Sequence, residues 1–364
     1  MVIKMRLRKL LQDHNLYYRG VQRDIARDLQ IHRQTVSKMF SGEVGTISTK
    51  VLSDICTWLL DRKVPLRELP ASLFGRGRGK LWQEFAEKGK CSFFIGEYHE
   101  PREPGVVWKW LSRNDTIAAG LFAQQLSMPQ EENLPSPGLF FEYIPFHYPL
   151  QSYDSRQEPL AQDIQSSARI FNKMLSDKNT SSILIGSQRV NYLLEHFVAN
   201  LFKCTPFTSY SQLRVPWFMV YRQSDHLVPS CFGGTVRPGG GTEGSQPGLH
   251  YINEKGKWVA FPWHMHKQDG GVVVVVRDHE KDTISMALFG FGGVTTEAIA
   301  RITVLQEERF VEPQWETNNR EIGVFICLLK YQVSLLPGEV EETVAPTTCE
   351  IIPIKERILK KFLI

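Results

Sequence analysis

Two parts of this chain combine residue types and spacings that can do chemistry. In VQRDIARDLQIHRQTVSKMFSG (21–42), His32, Arg33, Gln34, Thr35, Ser37 and Lys38 fall at the leading end and outward side of a short predicted helix. Arg and Gln can each make two parallel hydrogen bonds to one base edge, and Lys meets phosphate as a point charge. The set therefore suits the major groove of duplex DNA. The bland alternative is the solvated face of a small helical bundle.

The other part is double. ILIGSQRVNYLLEH (183–196) and ALFGFGGVTTEAIA (287–300) share a strand–glycine–helix layout. Such turns lie at the carboxyl ends of parallel strands, where helix N-termini present amide hydrogens that favour anions. Gly186, Ser187, Arg189 and Asn191, facing Gly290, Gly292, Gly293, Thr295 and Thr296, would form a pocket for a nucleotide or other phosphate-containing ligand, with Arg189 supplying a bidentate contact. Neither segment is a GxGxxG fingerprint or a Walker loop. The competing reading is glycines that only permit tight turns.

Other combinations carry less. His264 and His266, two apart, share a strand face suited to a metal, against the simpler reading of an aromatic surface loop. Cys231, with His226 or His250 as prospective bases, has no nucleophile-elbow pattern before it. With no recognisable acid–base or nucleophile set, sensing is favoured over catalysis.

These groups need elements to hold them. Val21, Ile25 and Leu29 recur every four residues, Ala26 lets two helices approach, and Ile31 fills a turn. Val36 with Met39 or Phe40 then buries the inner face of the next helix, which is helix-turn-helix spacing. Residues 2–11 interleave basic residues with Leu and Met, as a first amphipathic helix would. After GRGRGK (75–80), short apolar runs alternate with amphipathic ones from Cys91 onward, predicting repeated strand–helix units and a largely parallel sheet. Arg76 and Arg78 on the glycine-rich arm either enter a minor groove or simply sit in a linker. The Pro- and Gly-rich stretch 237–247 reads as an exposed insertion.

Residues 1 to about 74 resemble the lambda repressor/Cro-like helix-turn-helix domain of bacterial regulators of the xenobiotic-response-element type. The matching pieces are DIARDLQIHRQTVSKMFSG, for the second and third helices, and ISTKVLSDICTWLLD, for a fourth. The resemblance implies that Gln22 and Arg23 touch the sugar-phosphate backbone and that Arg33, Gln34, Thr35 and Lys38 read or flank bases. Such modules usually read two half-sites, so a homodimer on a roughly palindromic duplex is expected. The match departs from the family at Gln30, where a glycine is common.

Charge supports the division. Residues 1–80 hold 16 Lys or Arg against 7 Asp or Glu, a balance of +9, and the remainder holds 27 against 32, a balance of −5. The longest apolar run, 271–276, is flanked by charge and too short to span a bilayer. No secretory signal pattern opens the chain, and its six cysteines show no CxxC pair, so a reduced, cytoplasmic setting without membrane contact is expected. The expected architecture is α + α/β: a helix-turn-helix bundle over 1–74, a basic linker and connecting helix over 75–90, and a Rossmann-like α/β domain over 91–364. The expected function is a DNA-binding transcriptional regulator whose α/β domain senses a small anionic effector, with no cofactor certain. The alternative is a nucleotide-processing enzyme or defence-type effector with an appended DNA-binding module.

Overall fold

The computed structural model describes residues 7–41, 49–62, 79–103, 106–127, 136–147, 161–188, 190–207, 215–220, 247–264, 268–291, 293–317, 319, 321–335, 342–344 and 349–363. The chain forms two compact units that divide between Gly79 and Lys80.

The first unit is helical: α1 (Leu7–Asp13), α2 (Val21–Asp28), α3 (Arg33–Ser41) and α4 (Thr49–Asp61). Leu7, Leu10 and Leu11 meet Val21 and Ile25 of α2, Val36 and Met39 of α3, and Ile55, Trp58 and Leu59 of α4 in one closed core. Of the apolar residues predicted to face inward, Val21, Ile25, Val36 and Met39 are buried, and Ala26, Leu29, Ile31 and Phe40 pack partly buried against that core. Asp28 ties α2 to α4: it accepts Trp58 Nε1–H at 3.1 Å and an Arg62 N–H at 3.1 Å, while the Arg62 guanidinium lies 3.5 Å from the Trp58 ring centroid.

The second unit opens with α5 (Lys80–Glu87), whose Leu81, Trp82, Phe85 and Ala86 are part of its core. Then come β1 (Lys90–Glu103), β2 (Val106–Leu111), α6 (Arg113–Ser127), β3 (Gly138–His147), α7 (Ala161–Ser176), β4 (Ser181–Gly186) and α8 (Tyr192–Leu201). A small antiparallel sheet follows, β5 (Trp217–Val220), β6 (Gly248–Ile252) and β7 (Trp258–Pro262). The chain returns to the main sheet with β8 (Gln268–Asp278), β9 (Thr283–Gly290), α9 (Gly293–Leu305), β10 (Trp315–Glu316), β11 (Ile322–Leu335), β12 (Glu342–Val344) and β13 (Glu350–Pro353), and α10 (Glu356–Phe362) closes it.

β3, β1, β4 and β9 lie side by side and parallel. β8 is antiparallel to β9, β11 is antiparallel to β8, and β10, β12 and β13 each run against β11. With β2 reversed against β1 as well, the sheet is mixed, which corrects the expectation of a largely parallel one. The reason is local. Only the turn 279–282 separates β8 from β9, with Asp282 at a φ of 54°, whereas a parallel connection needs a crossover of roughly a dozen residues.

Strand alternation divides the core into two layers. Val272 and Val274 of β8 point to one face, beneath α7, α8, α10 and the small sheet, and Val273 and Val275 point to the other, beneath α5, α6 and α9. Gly271 lets α9 approach the sheet: a Cβ there would stand 2.4 Å from Ile299 Cδ1 and 2.5 Å from the Phe289 carbonyl oxygen. Among the described residues no helix is long and apolar enough to cross a membrane.

Candidate functional site

The turn between α2 and α3 sets the direction of α3. Gln30 takes a left-handed φ of 53°, its N–H bonds the Arg27 carbonyl (3.3 Å), and the Ile31 N–H reaches back to the Ala26 carbonyl (3.0 Å). That pair of bonds is the Schellman helix ending, which usually places glycine where Gln30 stands. His32 then starts α3: its carbonyl accepts the Thr35 N–H (2.8 Å) and its Nδ1 accepts the Gln34 N–H (3.3 Å). Because Val36 and Met39 point into the core, the opposite side of α3 faces solvent. His32, Arg33, Gln34, Ser37 and Lys38 are exposed, and Thr35 is half-buried. Among the described residues no carboxylate pairs with Arg33 or Lys38, and both side chains belong to exposed residues. On α2, Gln22 is half-buried and the Arg23 side chain is 75% exposed.

In the second unit, the two strand–glycine–helix segments come together. β4 and β9 are neighbours, with Gly186 opposite Phe289, and α8 and α9 leave on opposite faces of the sheet. The two glycine turns therefore lie at the adjacent carboxyl ends of β4 and β9. Gly186 has a φ of 131°, and a Cβ there would lie 3.3 Å from Asp115 Oδ2, at the start of α6. Asp115 is buried and accepts a hydrogen bond from Thr296. Burial nevertheless pushes its carboxyl up to about 7. The neighbouring Thr295 hydroxyl donates to buried Asp269 at 2.5 Å. Asn114 completes the set, with its amide turned to donate to Glu297 Oε2 (3.0 Å) and accept the Val294 N–H (3.2 Å).

Asn191 serves the scaffold: its side-chain oxygen caps α8 through the Leu193 N–H (3.2 Å), and its amide nitrogen donates to the carbonyls of Phe94 and Ile185 (3.0 Å each). The beginning of α9 is occupied from within the protein by two carboxyl groups, one on each of its consecutive threonines.

Residues 6–59 match the family model of the Cro/C1-type HTH DNA-binding domain. The N-terminal unit is a Cro/C1-type helix-turn-helix domain. Comparison with curated proteins and with solved structures gives no match for the chain.

Within the Cro/C1-type domain, α3 brings His32, Arg33, Gln34, Ser37 and Lys38 to one solvent-facing region, with Thr35 at its border. Arg76, Arg78, Arg189 and Gly292 lie outside the described residues, as do His226, Cys231 and His266. Ser187 is half-buried, Gly290 is buried opposite Gly271, and Gly293 opens α9, where a Cβ would meet Asn114 Nδ2 at 2.8 Å.

Sequence reasoning missed Asp115 and its neighbours, although S-R-N-D (112–115) has the spacing of a helix start. The Ser112 carbonyl accepts the Thr116 N–H (3.0 Å), and the Ser112 hydroxyl faces the Asp115 N–H (3.5 Å). It also missed a second cluster at the carboxyl ends of β1 and β3. His147 Nδ1 lies 2.6 Å from Asp163 Oδ1, and the other Asp163 oxygen accepts the His147 backbone N–H at 2.9 Å. The His99 ring sits edge-on to His147, 4.8 Å between centroids, with its Nε2 2.5 Å from Glu97 Oε2. Glu97 and His99 are two apart on one strand, but no local spacing announces the His147–Asp163 pair, because β3 and α7 bring it from separate parts of the chain.

Proposed function

We propose that this protein is a DNA-binding transcriptional regulator that works in the cytoplasm as a homodimer, each copy placing α3 in the major groove of one half-site. The observation that carries this reading is the outward face of α3 in a Cro/C1-type domain, with its exposed Arg33 and Lys38 and its bidentate Arg and Gln side chains. Arg33 and Gln34 read base edges, His32, Thr35, Ser37 and Lys38 flank them, and Gln22 and Arg23 meet phosphates. Arg76 and Arg78 extend the contact into the adjacent minor groove. Gel shifts of the full chain on a selected duplex test this: binding should weaken steeply with salt, and salt-insensitive or absent binding at low ionic strength overturns it.

The α/β unit, Rossmann-like in its winding, is the regulatory half, and its effector sits between β4 and β9 against Gly186, Ser187, Arg189, Gly290, Gly292, Gly293, Thr295 and Thr296. Asp115 and Asp269 favour a ligand that offers hydroxyl or amino donors to the start of α9. A nucleotide does so through its sugar and base, whereas bare phosphate does not. To regulate, that ligand must bind two states of the dimer with different affinity. Thermal shift with a nucleotide panel and with inorganic phosphate tests this; stabilisation by phosphate alone, or by none, sinks it.

One observation favours the alternative of a nucleotide-processing enzyme. Asp163 fixes the His147 ring through Nδ1, which leaves Nε2 to take a proton, the geometry of an oriented general base. Product formation from the same panel, lost in His147→Ala, would transfer the assignment to that reading.

A further inference from the structure

We infer that the second unit carries an acid–base pair, His147 and His99, that cleaves phosphodiesters standing next to a free ribose hydroxyl. The inference rests on the nucleotide-processing reading above and adds to it the second proton carrier and the substrate class. The register sets Lys109 of β2, His99 of β1 and His147 of β3 in one row across three neighbouring strands, at the carboxyl ends of β1 and β3. Directly opposed residues share a face and strands lie about 4.8 Å apart, so the three side chains stand together. Each ring has its own carboxylate. Asp163, its side chain 2% exposed, holds His147 at Nδ1. Glu97, two residues before His99 and so on the same face, holds His99 at Nε2. The His147 side chain is 32% exposed and that of His99 11%, so both rings reach solvent. Lys109 is exposed, and among the described residues no carboxylate pairs with it.

The reaction class follows from the members of that row. Among the described residues no hydroxyl or thiol hydrogen-bonds either ring, so neither imidazole is paired with a protein nucleophile. A ribose phosphodiester brings its own, the 2′-hydroxyl beside the phosphate. With Nδ1–H donated to Asp163, His147 Nε2 accepts the 2′-hydroxyl proton, and the freed oxygen bonds to phosphorus. The bond from phosphorus to the 5′-oxygen breaks. His99, protonated and held through Nε2–H by Glu97, gives that oxygen its Nδ1 proton. The products are a 2′,3′-cyclic phosphate and a 5′-hydroxyl; no other reactant is consumed, and solvent returns each imidazole to its starting form. Lys109 meets the non-bridging phosphate oxygens as a point charge. DNA lacks the 2′-hydroxyl, so the duplex that α3 binds is not a substrate.

The full-length protein is incubated with an end-labelled ribo-oligonucleotide of mixed sequence and with its all-deoxy counterpart. The ribo strand should be cut to fragments that end in a 2′,3′-cyclic phosphate, and the deoxy strand should stay whole. His147→Ala and His99→Ala should each slow cleavage by about 10²–10⁴-fold. Lys109→Ala should raise KM more than it lowers kcat, and Lys109→Arg should restore most of the loss. Because His99 is buried, a misfolded variant is told apart with the nitrophenyl ester of uridine 3′-phosphate, whose leaving group departs without a proton. His99→Ala should cleave that ester nearly as fast as the unchanged protein, and His147→Ala should not. An intact ribo strand, equal cutting of the deoxy strand, cleavage that persists in either histidine variant, or failure of His99→Ala on the activated ester overturns the inference. Turnover of mononucleotides that depends on His147 and not on His99 also overturns it, and leaves the nucleotide-processing reading standing.

Discussion

Arg33 and Gln34 follow a turn that aims them away from the core, so their loss should be felt in DNA affinity rather than in folding. Arg33→Ala is expected to weaken binding to the preferred duplex by about 1–3 kcal/mol and to relax preference at one base pair. Arg23→Ala should instead weaken all duplexes alike and lower the slope of log K against log salt by about one. Titrations on matched and mismatched duplexes at several salt concentrations distinguish the two. Asp115 makes a different prediction. Its carboxyl is raised to about 7 by burial, so the folded state keeps its proton while the unfolded chain loses it near the ordinary aspartate value. Stability of the second unit should therefore fall between about pH 4 and pH 7 and level off above. Asp115→Asn should remove that fall, so that urea melts match wild type near pH 4 and exceed it at pH 8.

Individual elements carry tests of their own. The α2–α3 turn forces Gln30 into a conformation that costs a side chain about 1 kcal/mol, and Gln30→Gly should recover up to that amount. The thermal midpoint of the helix-turn-helix unit should rise without loss of DNA binding. The closeness of α9 to β8 predicts the opposite at Gly271. Gly271→Ala would drive a methyl against the Phe289 carbonyl, which cannot swing aside as a side-chain tip can. It should cost about 1–3 kcal/mol or more in denaturant melts. Most elements were readable because their apolar periods are long: residues 161–176 and 294–305 repeat at helical spacing, and the valine run of β8 is rich in β-branched residues. β2, β10, β12 and β13 were not. VVWKWL carries apolar residues that the fold leaves exposed, and strands of two to four residues have no room for a period.

At the scale of the whole molecule, two compact units with separate cores should unfold as two transitions in scanning calorimetry. Val36→Ala should move one and Gly271→Ala the other. The helix-turn-helix was legible because a short helical bundle is made of local contacts: each core position follows from residues three or four apart and a turn between them. The second unit yielded its strands and helices but not its sheet. Strand direction depends on the length of a connection and on which edge is vacant, and neither is written in any one segment. The sequence on its own thus determined an outward-facing, cationic α3 and two glycine turns. Only the tertiary structure decided that those turns meet beside Asp115 and Asp269, that His147 faces Asp163, and that β3 lies at an edge. Contacts between distant parts of a chain arise from sheet order, which local spacing does not encode.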